Sequence, residues 1–377
     1  MEKTTLKDLP LFNGQPQHET LANMKFMLPT RRMEPAARPW QFGAGMPAEL
    51  PPAYEFDGAR RESAAFLADT DTSALLVLKA GEIRHEQYWL TGGPDVQWIS
   101  FSVAKSFVSA LVGIAIAEGF IAGLDSPISD YVSVPPGSAY DGVMIKDVLQ
   151  MSSGARWDET YSDPGSEVFR LGAAMGQGGS LLAFVRGMIR DTTPGTLCRY
   201  NSGDTQMLGQ LLVAATGRSI SDYMHEKLMR PLGMNAAGYW LIDSAGMEMA
   251  FAGVNLIARD FAKLGELYRR GGMWDGREVV PAAWVRASVT PDAPHLLPGS
   301  IKSVPFGYGY QWWVPESERG EFLAAGVYNQ FVYVDPSREV VIVKLSANRR
   351  YGTTMTEATN RQVESVALFR AIAGALD

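Results

Sequence analysis

Two kinds of apolar spacing divide the chain. Positions 74–79, apolar up to Lys79, and 82–89, mixed apolar and polar, flank Ala80-Gly81, which predicts a β-hairpin. Just before it, 55–68 reads as a helix. From Ser102 to about Arg270 the helical period dominates, and it predicts helices that begin at Ser102 and cover 145–151, 181–189, 207–216, 220–229 and 258–270. Strand signals return over 308–314, 321–325, 330–334 and 340–345, and 355–376 closes the chain as a helix. Two strands from the front and about four from the back, with helices between, predict an antiparallel sheet assembled from both ends of the chain. The fold class is therefore α+β, a layered sheet flanked by helices with a helical lobe. A site would lie between sheet and lobe, where pockets are common.

Composition narrows the function. With 377 residues, 46% of them hydrophobic, the chain can bury a large core. The net charge of −7 comes without a Lys/Arg run that could contact phosphates, so nucleic acid is excluded as a partner. Cys198 is the single cysteine, which rules out an intramolecular disulfide and a Cys-rich metal site; it reads as a small buried residue. His18, His85, His225 and His295 are scattered without metal-ligand spacing. No Gly-x-Ser-x-Gly elbow is present, which leaves an α/β-hydrolase triad unsupported. No apolar run reaches the length of a membrane span, and the first fourteen residues lack the apolar stretch of a signal peptide. The expected location is cytoplasmic. The first fifty residues, rich in Pro, Arg and Met, read as an irregular arm wrapping the body, with a disordered leader as the other reading.

Candidate chemistry sits at the start of the apolar helix. Ser102 and Lys105 are three residues apart and share one face. The helix N-terminus lends its positive dipole end to that site. A serine becomes a useful nucleophile when a neighbour accepts its proton. A lysine can do so once burial lowers its pKa from the usual ~10.4. The residues after Lys105 are almost all apolar or small, which makes that burial plausible. The competing reading has Ser102 as a helix cap and Lys105 as an exposed charge. A second polar cluster, Tyr200-Asn201-Ser202-Gly203-Asp204, precedes the helical stretch from Met207. Tyr200 can shuttle a proton between serine and leaving group, or it can be an ordinary half-buried tyrosine.

Taken together, these segments resemble the serine β-lactamase and penicillin-binding-protein superfamily, in its class C-like esterase branch. Ser102 and Lys105 match the Ser-x-x-Lys box. Tyr200 matches the Tyr box, with Ser202 where many members carry asparagine. Leu124-Asp125-Ser126-Pro127, Leu149-x-Met151-x-Ser153-Gly154, Gly271 to Gly276 and Tyr308 to Trp313 follow in the family's order. Within the family, 157–168 and Val341 to Ser346 look most like the 6-aminohexanoate-dimer (nylon-oligomer) hydrolases. The resemblance implies a β-lactamase/transpeptidase-like fold: a single catalytic domain over 51–377 behind an arm over 1–50. Its sheet lobe would cover about 55–97 and 300–377, and its helical lobe about 98–299. The family's third box, Lys-Thr-Gly or a His variant, is replaced by Ala324-Ala325-Gly326, where only the glycine fits. The missing cation removes a charge-assisted contact to a substrate carboxylate, worth roughly 1.5–3 kcal/mol.

The implied activity is hydrolysis of carboxylic esters, and of linear amides, through an acyl-enzyme. Ser102 attacks. Lys105 and Tyr200 take its proton and return it to the leaving group. The N–H groups of Ser102 and Val327 hold the oxyanion, with Gly326 permitting close approach. Tyr161 aligns with a tyrosine that contacts the scissile amide in the nylon-oligomer enzymes, and it lies in a Gly-rich stretch, 158–180, that reads as a lid or a plain surface loop. The run Tyr308, Tyr310, Trp312, Trp313 is either sheet core or one wall of an acyl pocket. No cofactor and no metal are implied, and the partner is a small-molecule ester or amide; a homodimer is left open. Acyl transfer on the same residues and a β-lactam-binding sensor with little turnover are the alternatives.

Overall fold

The computed structural model describes residues 6–176 and 178–376. Positions 1–5 of the expected arm lie outside the described residues. The main sheet has eight strands, in the spatial order Gly307–Tyr308, Trp313–Val314, Phe322–Gly326, Gln330–Asp335, Val340–Ser346, Thr72–Lys79, Glu82–Tyr88 and Gly43–Ala44. All neighbours are antiparallel except the last pair. The two ends of the chain meet where Val340–Ser346 pairs with Thr72–Lys79, Ile342 opposite Val77. Every residue of Val340–Ser346 is buried, because both faces of the sheet are covered. The amphipathic helix Ala258–Arg269 packs on one face, and Gln362–Gly374 sets Phe369 edge-on against Phe331 and tilted against Tyr333 on the other.

Below the sheet, the helix Ala104–Ala117 is buried from Ala104 to Ala115 and packs on the helix Ser202–Thr216. A second sheet orders Thr30–Met33, Gly238–Leu241, Val254–Leu256 and Trp98–Ile99. Its last strand delivers the chain to Ser102: Ser100 N–H donates to Val254 O at 2.8 Å, and the 3-10 turn Phe101–Val103 follows directly.

Several local expectations are corrected. The stretch 55–68 is a hairpin, Ala53–Phe56 against Ala59–Glu62, followed by the helix Ser63–Asp69. Its loop is Asp57-Gly58, both at positive φ (51° and 69°), the two-residue turn that matches strand twist. The expected strand over 308–314 is two short strands around Gln311, which sits at φ 64°. That residue leaves the sheet because its backbone and side chain are bonded elsewhere, to Ser106, Thr205 and Leu149. The closing helix breaks at Arg361, φ 52°. The stretch 158–180 contains a helix, Glu167–Ala173. Finally, the described part of the arm is not irregular throughout. It carries the helix His18–Met27 and the strand Thr30–Met33, which gains its backbone partners from Gly238–Leu241, two hundred residues away.

Candidate active site

The turn into the first long helix aims Ser102. Phe101, immediately before it, has φ 43°, a strained conformation for an aromatic residue. Ser102 keeps 7% of its surface exposed, whereas Lys105, one turn on, keeps 1%. The serine is therefore reachable and the lysine sealed beneath it. Lys105 Nζ lies 3.0 Å from Ser102 Oγ, 3.1 Å from Ser202 Oγ and 2.9 Å from Phe251 O. Burial pulls its pKa down to about 8, against the negative charge of Glu159, which works to raise it.

The protons around Lys105 can be assigned by elimination. Ser202 Oγ has one hydrogen and donates it to Glu159 Oε1 at 2.7 Å, so toward Lys105 it can only accept. Phe251 O is an acceptor as well. A neutral lysine has two N–H groups, and these two acceptors take both. Its lone pair then faces Ser102 Oγ.

Tyr200 completes the base wall. Asn201, the cap of Ser202–Thr216, accepts from the N–H groups of Gly203 and Asp204 and so sets Tyr200 and Ser202 at the helix mouth. The Tyr200 ring stacks on Trp313 at 5.0 Å and meets Tyr308 edge-on at 6.0 Å. Lys105 Nζ lies 5.0 Å from its centroid. Burial, followed by the charge of Glu159, pushes the Tyr200 phenol well above its usual range, and a hydrogen bond with Ser102 works the other way. Tyr200 is thus a neutral phenol at physiological pH.

Opposite stands the end of the strand Phe322–Gly326. A Cβ on Gly326 would fall 3.0 Å from Ser102 N and 2.7 Å from Ser100 O. Only glycine lets this strand close on the serine's backbone, and it brings the start of the Val327 turn beside Ser102 N–H. Among the described residues no cluster of three or more His, Cys, Asp or Glu could hold a metal.

A family profile described as Beta-lactamase matches residues 55–368. The chain belongs to the beta-lactamase family. A 6-aminohexanoate-dimer hydrolase of Paenarthrobacter ureafaciens is 31% identical over 291 residues, 74% of each chain. Among solved structures, "Putative 6-aminohexanoate-dimer hydrolase from Bacillus anthracis" superposes with a TM-score of 0.83 at 21% identity, covering 95% of this chain and 94% of the other. EstCE1, a hydrolase with promiscuous acyltransferase activity, gives 0.64 at 17% identity, covering 83% and 96%. This member of the family is accordingly an enzyme, a hydrolase on the α+β β-lactamase fold expected from its sequence.

The family fold gathers all seven residues singled out in the sequence. Ser102, Lys105 and Ser202 are joined by hydrogen bonds, Tyr200 by its ring and phenol, and Gly326 and Val327 by the strand end. Tyr161 enters indirectly: its hydroxyl donates to Glu159 Oε1 at 2.6 Å. Glu159 itself is missed by the sequence reading. One oxygen accepts from Tyr161 and Ser202 Oγ; the other accepts from Ser202 N–H at 3.1 Å and from the Trp157 indole. The available signal was the carboxylate two residues before Tyr161. Phe251 is missed as well, because it acts through a backbone carbonyl, which no side-chain pattern reports. Among the described residues no helix is long and apolar enough to cross a membrane.

Proposed function

We propose that this protein is a serine hydrolase that cleaves carboxylic esters, and linear amides of the 6-aminohexanoate-oligomer type, through an acyl-enzyme on Ser102. The observation that carries the reading is Lys105 Nζ, sealed beneath Ser102 and 3.0 Å from its Oγ, with Ser202 Oγ and Phe251 O as its two other partners, so that the neutral lysine has its lone pair free for the serine proton. Ser102 Oγ attacks the acyl carbon as its proton passes to Lys105. The developing oxyanion is held by the N–H groups of Ser102 and Val327 beside Gly326. The Tyr200 phenol relays the proton to the leaving group as the scissile bond breaks. Water then attacks the acyl-enzyme by the same path in reverse, releasing the acid and restoring Ser102.

The unit responsible is the catalytic domain over 51–377 carrying an N-terminal arm, working in the cytoplasm. A second reading is favoured by EstCE1, whose acyltransferase activity is promiscuous: an alcohol or amine could replace water in deacylation at the same residues. The test is a panel of p-nitrophenyl esters, nitrocefin and 6-aminohexanoate dimer, with and without an added acceptor alcohol, on wild type and Ser102→Ala.

A further inference from the structure

Within the N-terminal arm, Phe12 packs against residues of the candidate site. Phe12 is half-buried and sits at φ 60°, where a bulky side chain is held only by its surroundings. Its ring lies between two tyrosines, stacked on Tyr161 at 4.8 Å and 25° and on Tyr328 at 5.0 Å and 24°. Phe169 closes its edge at 5.7 Å. The Phe12 N–H donates to the Tyr328 hydroxyl at 2.6 Å. A Cβ on Gly352 would strike Phe12 Cδ1 at 2.6 Å, so that loop too is shaped around the ring. The arm is fixed on either side: Leu9 is buried, and Gln17 donates to Pro10 O at 2.7 Å.

The two tyrosines belong to opposite walls. Tyr161 bonds Glu159, which bonds Ser202, which accepts from Lys105; this is the wall through which protons move. Tyr328 follows Val327 in the turn after Gly326, and its ring is 5.4 Å from Phe101, the residue before Ser102; this is the oxyanion wall. Phe12 is a single side chain spanning both.

We infer that Phe12 is a positioning residue of the proposed hydrolase, which braces the proton-transfer wall against the oxyanion wall and so sets the width of the cleft around Ser102. This rests on the reading of the site given above. Misplacing a reacting group by an ångström costs up to about a hundredfold in rate, whereas binding of a small ester that does not reach the arm is left alone. The prediction is a loss in kcat with little change in KM.

The test uses the full chain, with turnover of p-nitrophenyl acetate counted per folded molecule by near-ultraviolet circular dichroism. Phe12→Leu keeps apolar volume, removes the stacked plane and retains the backbone bond to Tyr328. It should lower kcat about tenfold or more and leave KM within about twofold. Phe12→Tyr restores a stacking ring and should return kcat to within about threefold of wild type. In a Tyr161→Leu background, where the brace has lost one partner, Phe12→Leu should cost less than about threefold further. An unchanged kcat in Phe12→Leu, a rise in KM with kcat kept, or full additivity with Tyr161→Leu would each overturn the inference. Ser102→Ala is run beside them. If it is inactive while Phe12→Leu is silent, the inference fails alone; if it keeps its turnover, the reading of the site fails first.

Discussion

Glu159 and Lys105 are joined through a single hydroxyl, that of Ser202, which donates to Glu159 Oε1 at 2.7 Å and accepts from Lys105 Nζ at 3.1 Å. The carboxylate holds the hydroxyl so that it cannot donate to the lysine, and its charge counteracts the desolvation that lowers the lysine pKa. Lys105 acts as a base only when neutral. Activity should therefore rise with pH through about 8.

Glu159→Gln gives the sign of that coupling. Removing the charge takes away the influence that raises the Lys105 pKa, so the ascending limb should move to lower pH. The rate on the plateau should fall, because the amide cannot accept from Ser202 N–H, Ser202 Oγ, Tyr161 and Trp157 together. Rate profiles of kcat/KM for wild type and variant measure both effects. A limb that moves to higher pH would contradict the assignment.

Tyr200→Phe removes only the phenol. The stack on Trp313 and the ring face toward Lys105 both survive. Binding should hold while the acylation rate falls by roughly two to four decades, the usual size of a general acid–base contribution. Pre-steady-state acylation measures it. An unchanged rate would confine Tyr200 to packing and leave Lys105 alone as the base.

Substrate preference follows from Ala324-Ala325-Gly326. The strand end that closes on Ser102 carries no cation, so a substrate carboxylate loses roughly 1.5–3 kcal/mol of charge-assisted binding there. Short-chain esters should be turned over far faster than penicillins or cephalosporins. Nitrocefin hydrolysis as efficient as that of the best ester would contradict this.

Asp204 predicts a pH-dependent stability beneath the site. It is fully buried, its Oδ1 accepts from Tyr140, Ser153 and Asn201, and its Oδ2 has no partner. Burial pushes its carboxyl up to about 7, against those hydrogen bonds. With the folded pKa above the unfolded one, the native state binds the extra proton, and its contribution to stability is lost as pH rises from about 4 through about 7. Asp204→Asn cannot ionise. Its Tm relative to wild type should therefore improve between pH 5 and pH 8, by several degrees for a contribution of this kind. A difference that is constant with pH would remove Asp204 as the source.

What the sequence disclosed was whatever had a period or a box. The hairpin around Ala80-Gly81 and the strand 340–345 are long, strongly patterned segments, and their pairing across the chain followed from apolar runs at both ends. Ser102, Lys105 and Tyr200 were legible because side chains carry their chemistry. The second sheet was not, since its strands have two to four residues, too few for alternation to register. The Asp57-Gly58 turn was present in the sequence but masked by apolar spacing that also suits a helix. Glu159 and Phe12 lie in loops, where position is set by partners remote in sequence: Ser202 for the one, Tyr161 and Tyr328 for the other.

The proposed chemistry passes through a covalent acyl-enzyme on Ser102, which intact-mass measurement after rapid acid quench would detect. Wild type mixed with a p-nitrophenyl ester should gain the mass of one acyl group, and peptide mapping should place it on Ser102. Ser102→Ala should gain none, keep its fold, and lose turnover by several orders of magnitude. An adduct on another residue, or a Ser102→Ala variant retaining more than about a tenth of the wild-type rate, would contradict the account.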